Sequence, residues 1–472
     1  MRVLLINTNI EVNPNPVLPI GMAYVAASLE RNGFSVSCAD LCFKKDWQKY
    51  LKNEINNFAP EFIGIAIRNI DNHDQSAPKF YLEFAKEVIE FCRKNSKAGL
   101  FCGGAALAVM PKPILKYLGI ETGIFGDGEE STPRLLMHWG DIAAYEKIAG
   151  LVYLAGSEII ANPAQGTKDL NSVAFHALHK WINVKPYFSQ ETSYPIQAKR
   201  GCPFNCIYCT YARGEGKCYR FRATENIADE IEHIQNNYRP KTIEFVDSIF
   251  NHPEGFAENI CRELINRKCR ANLHTIELNP GFISEELIRL MEKAGFSSCG
   301  LTCESASESV LKKLKKSYGV KEVIAAARSL KGSKMKRLWV FLMGGPGENE
   351  TTVEETLNFV RTELGEKDIV FFNIGIRIYP GTEIEAIAKE EGIIDAKTDL
   401  LHPVFYLSPA ISRERIEEKI RGEKKANIVT IRDIRLPYLS ILLRLASLLH
   451  LKGPYWSYAP IFNKIRRTLW QK

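Results

Sequence analysis

The chain has 472 residues, of which 45% are hydrophobic and 25% are charged, a composition typical of a globular protein with two or three domains. No apolar run reaches the length of a membrane span. The net charge of +7 lies at the end of the chain, because from Ile411 onward 14 Lys and Arg stand against 5 Asp and Glu, while the first 410 residues are slightly acidic. The charge therefore indicates a property of the C-terminal region and says nothing about the residues before it.

The first third of the chain alternates strand and helix patterns. An apolar strand pattern at Arg2 to Ile6 opens the chain where a signal peptide would stand, which favours a reducing cytoplasm and predicts that most of the 12 cysteines are free thiols. Helical periodicity follows Pro19. Further strands are predicted at Phe34–Cys38, Phe62–Ile67, Leu100–Cys102 and Gly123–Phe125. This alternation predicts an α/β fold, a doubly wound Rossmann-like parallel sheet that binds ligands at the carboxyl ends of its strands.

The middle of the chain predicts a second α/β unit. Residues 150–161 read as a hairpin, and the stretch to about Gln190 reads as an irregular linker. Beyond it, strand and helix patterns alternate six times, which predicts a partial (β/α)6 barrel with its chemistry at the C-terminal ends of the strands. The strands are predicted at Tyr194–Ala198, Thr242–Val246, Leu273–Ile276, Ser298–Thr302, Leu338–Leu342 and Ile369–Ile374.

Three cysteines follow the first barrel strand at C-x3-C-x2-C spacing: Cys202, Cys206 and Cys209. Thiolates are soft ligands that select iron–sulfur clusters, copper(I) or zinc. A structural zinc site with a distant fourth ligand and a pair of disulfide cysteines are the alternatives, but no second Cys or His pair completes a zinc set. Three thiolates on a four-metal cluster leave one metal open to a substrate or cofactor.

The cysteine spacing, with Tyr208 just before the last thiol, resembles the signature of the radical S-adenosylmethionine (SAM) superfamily. The resemblance implies a [4Fe–4S] cluster held by these cysteines, with SAM on the open iron and reductive cleavage of SAM to a 5′-deoxyadenosyl radical. It also implies that SAM contacts follow successive barrel strands. The expected contacts are Tyr208, Asp247, Glu304, Gly344, Gly345 and Pro346. Isolated carboxylates and Gly/Pro turns at these positions are more often surface or turn residues.

Lys199 and Arg200 directly precede the cysteine loop. A cation there either raises the potential of the cluster, holds a carboxylate or remains a solvated charge.

The N-terminal third resembles the cobalamin-binding domain that precedes many radical SAM domains. The matching residues, and hence the expected cobalamin contacts, are Pro19, Gly21, Gly103, Gly104, Gly126, Gly128 and Glu129. The cobalt-ligating Asp-x-His-x-x-Gly sequence does not follow the first strand. The segment from Asp71 to Ser76 has the Asp and the His of this motif but carries Ser76 in place of the glycine. His73 is therefore either a ligand or an ordinary loop histidine. The alternative for the domain is a degenerate flavodoxin-like fold without a cofactor.

The C-terminal region interleaves apolar residues, aromatic residues and cations between 431 and 472. This pattern resembles an interfacial segment that contacts anionic lipid. A helix packed on the barrel with its basic face in solvent is the equal alternative. Nucleic-acid binding is not expected, because the apolar fraction is too high for a single-strand groove.

These features predict four regions: a cobalamin-binding domain at 1–145, a hairpin and linker at 146–190, a radical SAM barrel at 191–400 and a helical basic region at 401–472. The resemblance implies an enzyme that methylates an unactivated carbon of a lipid-like or natural-product substrate, with an external electron donor of the flavodoxin or ferredoxin type. Radical cyclisation or rearrangement without methyl transfer is the close alternative. A cofactor-binding sensor without turnover is the alternative from another class. The expected localisation is cytoplasmic, either free or peripherally attached to the inner face of the membrane.

Overall fold

The structure is a computed structural model that describes residues 1–13, 15–173, 175–365, 367–423, 427–430 and 455–458. Two seven-stranded sheets organise it, together with two short ribbons. The strands are β1 (Arg2–Asn7), β2 (Ser35–Asp40), β3 (Phe62–Ala66), β4 (Gly99–Gly103), β5 (Thr122–Ile124), β6 (Leu151–Ala155), β7 (Glu158–Ala161), β8 (Tyr194–Ile196), β9 (Lys199–Arg200), β10 (Arg220–Phe221), β11 (Ile243–Phe245), β12 (Leu273–Leu278), β13 (Phe296–Glu304), β14 (Lys336–Met343), β15 (Asp368–Ile374), β16 (Ile376–Arg377), β17 (Phe405–Tyr406) and β18 (Ile428–Thr430).

Helices connect these strands and cover the sheets. They are α1 (Ile20–Arg31), α2 (Trp47–Phe58), α3 (Leu82–Asn95), α4 (Ala105–Val109), α5 (Pro111–Leu118), α6 (Gly128–Met137), α7 (Ile142–Tyr145), α8 (Leu178–Trp181), α9 (Lys185–Phe188), α10 (Tyr211–Glu215), α11 (Thr224–Asn237), α12 (Phe256–Asn266), α13 (Glu285–Ala294), α14 (Glu308–Lys313), α15 (Val320–Leu330), α16 (Glu350–Thr362), α17 (Glu383–Glu390) and α18 (Arg413–Gly422). Short 3-10 turns occur at Leu170–Ser172, Pro280–Phe282 and Tyr455–Tyr458. In the described ranges, no helix combines the length and the apolarity needed to cross a bilayer.

The N-terminal sheet has the strand order β2-β1-β3-β4-β5-β6-β7. Its first five strands are parallel, which confirms the predicted doubly wound sheet. Residues 3–6 of β1 are apolar and buried, as expected of a parallel strand that is covered on both faces. The predicted hairpin forms as β6 and β7 and extends this sheet with two antiparallel strands. It therefore packs with the N-terminal unit.

The second sheet has the order β8-β11-β12-β13-β14-β15-β18, and all of its strands are parallel. The six predicted barrel strands are confirmed. The seventh strand, β18, was not predicted, because a three-residue segment is too short to show a period. Part of the region predicted as helical at 401–472 thus completes the barrel sheet.

The two sheets meet through the carboxyl ends of their strands. Asp127, just after β5, pairs with Arg200 of the ribbon that follows β8, at 3.1 Å. Asp71, just after β3, pairs with Arg377 of the ribbon that follows β15, at 2.8 Å. One apolar cluster also continues from the N-terminal sheet into the barrel. The carboxyl ends of the strands of the two sheets, where such folds bind their ligands, therefore face each other.

Candidate functional site

The three cysteines lie on the loop that follows β9, at the carboxyl end of the first barrel strand. Cys202 is buried, Cys206 is half-buried and Cys209 is exposed. The Cys202 amide donates to the Gly216 carbonyl at 3.0 Å, and Ser248 Oγ donates to the Gly201 carbonyl at 2.8 Å. Gly201 has a φ of +97°, and a Cβ there would collide with the Cys218 carbonyl, so the loop geometry requires glycine. The loop is thus fixed at its base while its last thiol stays accessible.

The donor set of this loop fits a [4Fe–4S] cluster better than a single metal ion. None of the twelve cysteines, all of which lie in the described ranges, forms a disulfide. Within the described residues, no three Cys, His, Asp or Glu side chains converge on one ion position. A cluster places one thiolate on each of three irons, so its ligands are spread along a loop. The Tyr211 amide lies 3.5 Å from Cys209 Sγ, a contact of the kind that tunes cluster sulfur ligands.

Tyr208, between the last two cysteines, joins the loop to β13, the fourth strand of the barrel. Its hydroxyl donates to Glu304 Oε1 at 2.6 Å, and Lys316 Nζ lies 3.3 Å from both oxygens. Glu304 ends β13 with a φ of +60°, where the ladder to β14 shifts register. A non-glycine residue in this region stores strain, which is most common at functional sites. The structure therefore brings two predicted SAM contacts, Tyr208 and Glu304, to one position beside the cysteines.

Asp247 lies two residues after β11 and is buried. Its Oδ1 accepts from the amides of Ala198 and Lys199 at 2.9 and 2.7 Å, so it fixes the strand end that leads into the cysteine loop. Its Oδ2 is buried and has no hydrogen-bond partner among the described residues. Burial raises the pKa of Asp247. Oδ1 thus has a structural role that the sequence did not reveal, whereas Oδ2 can still accept a hydrogen bond from a bound ligand.

Gly344, Gly345 and Pro346 form a buried loop after β14. The amides of Gly344 and Gly345 both donate to Glu348 Oε2, while Glu348 Oε1 has no partner among the described residues. Burial raises the pKa of Glu348 to about 7. The backbone donors of the predicted SAM contact are therefore satisfied inside the protein by a carboxyl group.

The predicted cobalamin contacts lie at the carboxyl ends of the N-terminal strands. Pro19 precedes α1 and Gly21 lies in its first turn, Gly103 ends β4 and Gly104 follows it, and Gly126 and Gly128 lead into α6. Gly104 has a φ of +115°, and a Cβ there would collide with the Ile67 carbonyl. Gly21 is exposed, with open space where a Cβ would stand. The glycines after β4 and β5 thus allow close packing of the chain, whereas Gly21 has no such requirement.

Glu129, the last predicted cobalamin contact, is buried in an interdomain ion network. Arg200 Nη2 donates to Glu129 Oε1 at 2.6 Å and Arg200 Nη1 lies 3.1 Å from Asp127 Oδ2. Arg220 also pairs with Asp127. Arg200 therefore holds carboxylates and is not a solvated charge, while an effect of its charge on the cluster stays a prediction. No local sequence pattern predicts this network, because Arg200 lies 73 positions after Asp127 and 71 positions after Glu129.

His73 also contacts the barrel. Its Nε2 lies 2.7 Å from the Tyr379 hydroxyl, in the segment after β16. Its backbone φ is +51°, in the left-handed region. One of its two ring nitrogens is therefore engaged with the other domain, which favours the interpretation of an ordinary loop histidine.

Residues 196–360 match the family model of the radical SAM superfamily, and residues 7–136 match that of the B12 binding domain. Together the two models span well over half of the chain. The chain belongs to the radical SAM enzymes that carry a B12-binding domain. This confirms the predicted family and its three cofactors, a [4Fe–4S] cluster, SAM and cobalamin.

Known proteins similar to the chain include two curated enzymes. A tryptophan 2-C-methyltransferase from Streptomyces laurentii is 21% identical, with 80% of this chain and 73% of the relative aligned. An anaerobic magnesium-protoporphyrin IX monomethyl ester cyclase from Cereibacter sphaeroides is 25% identical, over 72% of this chain and 55% of the relative. The solved radical S-adenosylmethionine methyltransferase TsrM from Kitasatospora setae, with cobalamin and a [4Fe–4S] cluster bound, superposes with a TM-score of 0.85 at 20% identity, covering 99% of this chain and 98% of that one. At this identity the superposition establishes the shared fold.

Proposed function

We propose that this enzyme methylates an unactivated carbon atom of a small organic or lipid-like substrate. The observation that carries the proposal is the interdomain ion network, in which Arg200 beside the cysteine loop binds Asp127 and Glu129 of the B12-binding domain. It joins the two ligand-binding edges, so one substrate carbon can meet both cofactors. Bound there, the cofactors would supply one-electron cleavage of SAM and the methyl group that is transferred.

The residues of the chain have distinct proposed roles. Cys202, Cys206 and Cys209 would hold the cluster. Tyr208 and Glu304 would orient SAM, because Glu304 presents a carboxylate that can accept from ribose hydroxyls. Asp247 Oδ2 is a buried acceptor with no partner among the described residues and suits the SAM amino group. Gly344, Gly345 and Pro346 would border SAM through the loop that Glu348 shapes.

At the edge of the B12-binding sheet, we assign some residues to contact with the corrinoid and others to positioning of the two domains. Gly103, Gly104, Gly126 and Gly128 would let the corrinoid approach the strand ends, and Pro19 and Gly21 would border it from the start of α1. Glu129 would act by positioning the two domains, since its carboxylate binds Arg200. Domain limits near 145, 190 and 400 remain predictions, with β6, β7 and β18 extending the two sheets beyond them.

Transfer of labelled methyl groups tests the proposal. Full-length protein, reconstituted anaerobically with cluster and cobalamin, would be incubated with methyl-deuterated SAM, a reductant and a metabolite extract from a strain lacking the enzyme. We expect a deuterated product together with S-adenosylhomocysteine and 5′-deoxyadenosine. Protein reconstituted without cobalamin should give no deuterated product.

Radical cyclisation is the second candidate, supported by the similarity to the cyclase. It predicts 5′-deoxyadenosine without label in the product. A protein that binds SAM and cobalamin but never cleaves SAM would instead be a sensor.

Partners and location complete the proposal. An external flavodoxin or ferredoxin would supply the electron, and the protein would act in the cytoplasm. The proposed membrane contact falls on residues 431–454 and 459–472, which lie outside the described residues. Between them, Trp456 contacts His274 and Tyr458 contacts Lys336, both on the barrel.

A further inference from the structure

The concave face of the barrel sheet is partly open instead of filled. Along β14, buried and half-buried residues alternate. Trp339 and Phe341 are fully buried and contact Phe359 of the outer helix α16. Because side chains alternate across a strand, the half-buried set must face the lumen. That set is Lys336, Leu338, Val340 and Leu342. Packed barrels fill this space with branched side chains, so accessibility here indicates a chamber.

The base of this chamber is closed by the C-terminal turn. In register, Glu244, His274, Ser298 and Lys336 form its lowest layer. The ring of Trp456 lies 6.2 Å from that of His274, and Lys336 Nζ lies 4.5 Å from the Tyr458 ring. The chamber therefore ends at this layer and leads towards the cysteine loop at the other end of the strands.

One wall of the chamber is apolar. Val340 pairs in register with Phe371 of β15, and both are half-buried on the lumen side. Leu338 and Leu342 stand one layer below and one layer above Val340. This wall suits a hydrocarbon or aromatic skeleton, because covering it removes apolar surface from water.

The other wall carries a carboxyl group without a partner. Glu277 lies on β12, within a register shift between Thr275 and Leu278, and its carboxyl group is near enough to Glu304, Glu244 and Lys316 to interact with their charges. The residue is half-buried, and its carboxyl group makes no hydrogen bond or ion pair with the described residues, whereas its backbone amide donates to Thr275 Oγ1 at 3.4 Å. Its carboxylate neighbours are engaged, Glu304 with Tyr208 and Glu244 with His274 at 3.6 Å.

The electrostatics of this wall disfavour a further negative charge. Burial, together with Glu304 and Glu244, raises the pKa of Glu277 to about 8, whereas Lys316 lowers it. Tyr211, after the cysteine loop, also interacts with Glu277. A cation placed here would relieve the repulsion and supply the missing partner.

We propose that the lumen binds a substrate with an apolar skeleton and a primary amine, with the skeleton against Val340 and Phe371 and the amine against Glu277. The inference rests on the proposed function, because the chamber leads to the cluster loop. It adds the chemical class of the substrate and the residue that selects it.

Binding of three matched probes to the full-length, cluster- and cobalamin-loaded protein tests this assignment. The probes are 2-phenylethylamine, 2-phenylethanol and 3-phenylpropanoate, measured by calorimetry at neutral pH. We expect the amine to bind at least about tenfold more tightly than the carboxylate, and Glu277→Gln to remove that preference while leaving the alcohol unchanged. Glu254→Gln, at an exposed loop position, is the matched control and should bind like wild type.

Two further readouts separate a binding role from a folding role. Amine binding should release protons from Glu277, seen as a dependence of the binding heat on the ionisation enthalpy of the buffer. Glu277→Asp should keep the preference for the amine, and Val340→Asn should weaken all three probes. Equal affinity of wild type for amine and carboxylate, or an unchanged preference in Glu277→Gln with intact cluster absorbance, would overturn the assignment. Cleavage of SAM without amine selectivity refutes the substrate class alone, whereas failure to cleave SAM at all refutes the proposed function.

Discussion

At the scale of single residues, Cys206 lies between the buried Cys202 and the exposed Cys209, and the proposed cluster needs all three. Cys206→Ala should remove one iron ligand, so we expect the cluster absorbance and reductive SAM cleavage to be lost together. Iron content, visible absorbance and 5′-deoxyadenosine formation after anaerobic reconstitution measure this.

Cys218 provides the control for the cysteine loop. It is an exposed thiol close to Gly201, outside the C-x3-C-x2-C spacing. Cys218→Ser should retain the cluster and SAM cleavage. If both variants keep a full cluster, these cysteines are not the ligands.

Glu348, which accepts from the Gly344 and Gly345 amides, makes the stability of the folded protein depend on pH. Burial raises its pKa in the folded protein from the ordinary 4.5 to about 7. Between these values the folded protein holds a proton that the unfolded chain has released. The contribution of Glu348 to stability is therefore complete below about pH 4.5 and is lost as the pH rises to 7. The shift corresponds to roughly 3 kcal/mol.

Glu348→Gln should remove this component, because the amide keeps an acceptor for the Gly344 and Gly345 amides and does not ionise. We expect the free energy of unfolding, from urea titrations between pH 5 and 8, to fall less steeply with pH than in wild type. Glu350→Gln, at an exposed residue paired with Arg415, should leave the slope unchanged over that interval. Identical slopes in wild type and Glu348→Gln would contradict the prediction.

At the scale of elements, the first turn of α6 and the ribbon strand β9 are joined by the Arg200 pairs. Glu129→Gln leaves Arg200 bound to Asp127 but removes one charged acceptor from a buried site. We expect a loss of about 1–3 kcal/mol in the free energy of unfolding and weaker retention of cobalamin. Chemical denaturation and corrinoid absorbance after gel filtration measure the two effects.

Glu130 is the matched control for α6, because it is the next residue along the helix and is exposed. Glu130→Gln should change neither stability nor cobalamin retention. A Glu129→Gln protein that behaves like Glu130→Gln would show that the network does not couple the domains.

At the scale of the whole molecule, the C-terminal turn closes the base of the barrel, while residues on either side of it carry the proposed membrane contact. Trp456→Ala should lower the free energy of unfolding by about 1–2 kcal/mol, because the half-buried indole ring no longer covers apolar surface of the barrel. The double variant with His274→Ala should lose less than the sum of the two single losses, since the rings contact each other.

Membrane attachment is tested separately by charge reversal at Arg466 and Arg467, which leaves the turn at 455–458 in the sequence. We expect weaker binding to anionic liposomes, with the larger effect at low salt, where screening is least. Truncation before Leu436 would remove the turn as well, so it cannot separate attachment from barrel packing. Unchanged liposome binding after charge reversal would remove the membrane contact from the proposal.

The sequence by itself determined the two α/β units, the seven strands of the first sheet, six of the seven strands of the second and the cysteine loop. Apolar periodicity is a local property, so β1 and the six barrel strands could be predicted from short windows. The three thiols are also local, because seven or fewer residues separate them and a single loop carries them all.

Only the tertiary structure decided the contacts that join distant segments. The pairing of Glu129 with Arg200, the support of the cysteine loop by Asp247 and the closure of the barrel by Trp456 all connect residues far apart in the chain. The role of Glu277 depends on a register shift in β12 and on an open lumen, and neither leaves a periodic signal. Side chains that act across domains are selected by geometry in three dimensions, whereas a one-dimensional pattern records only the near neighbours of each residue.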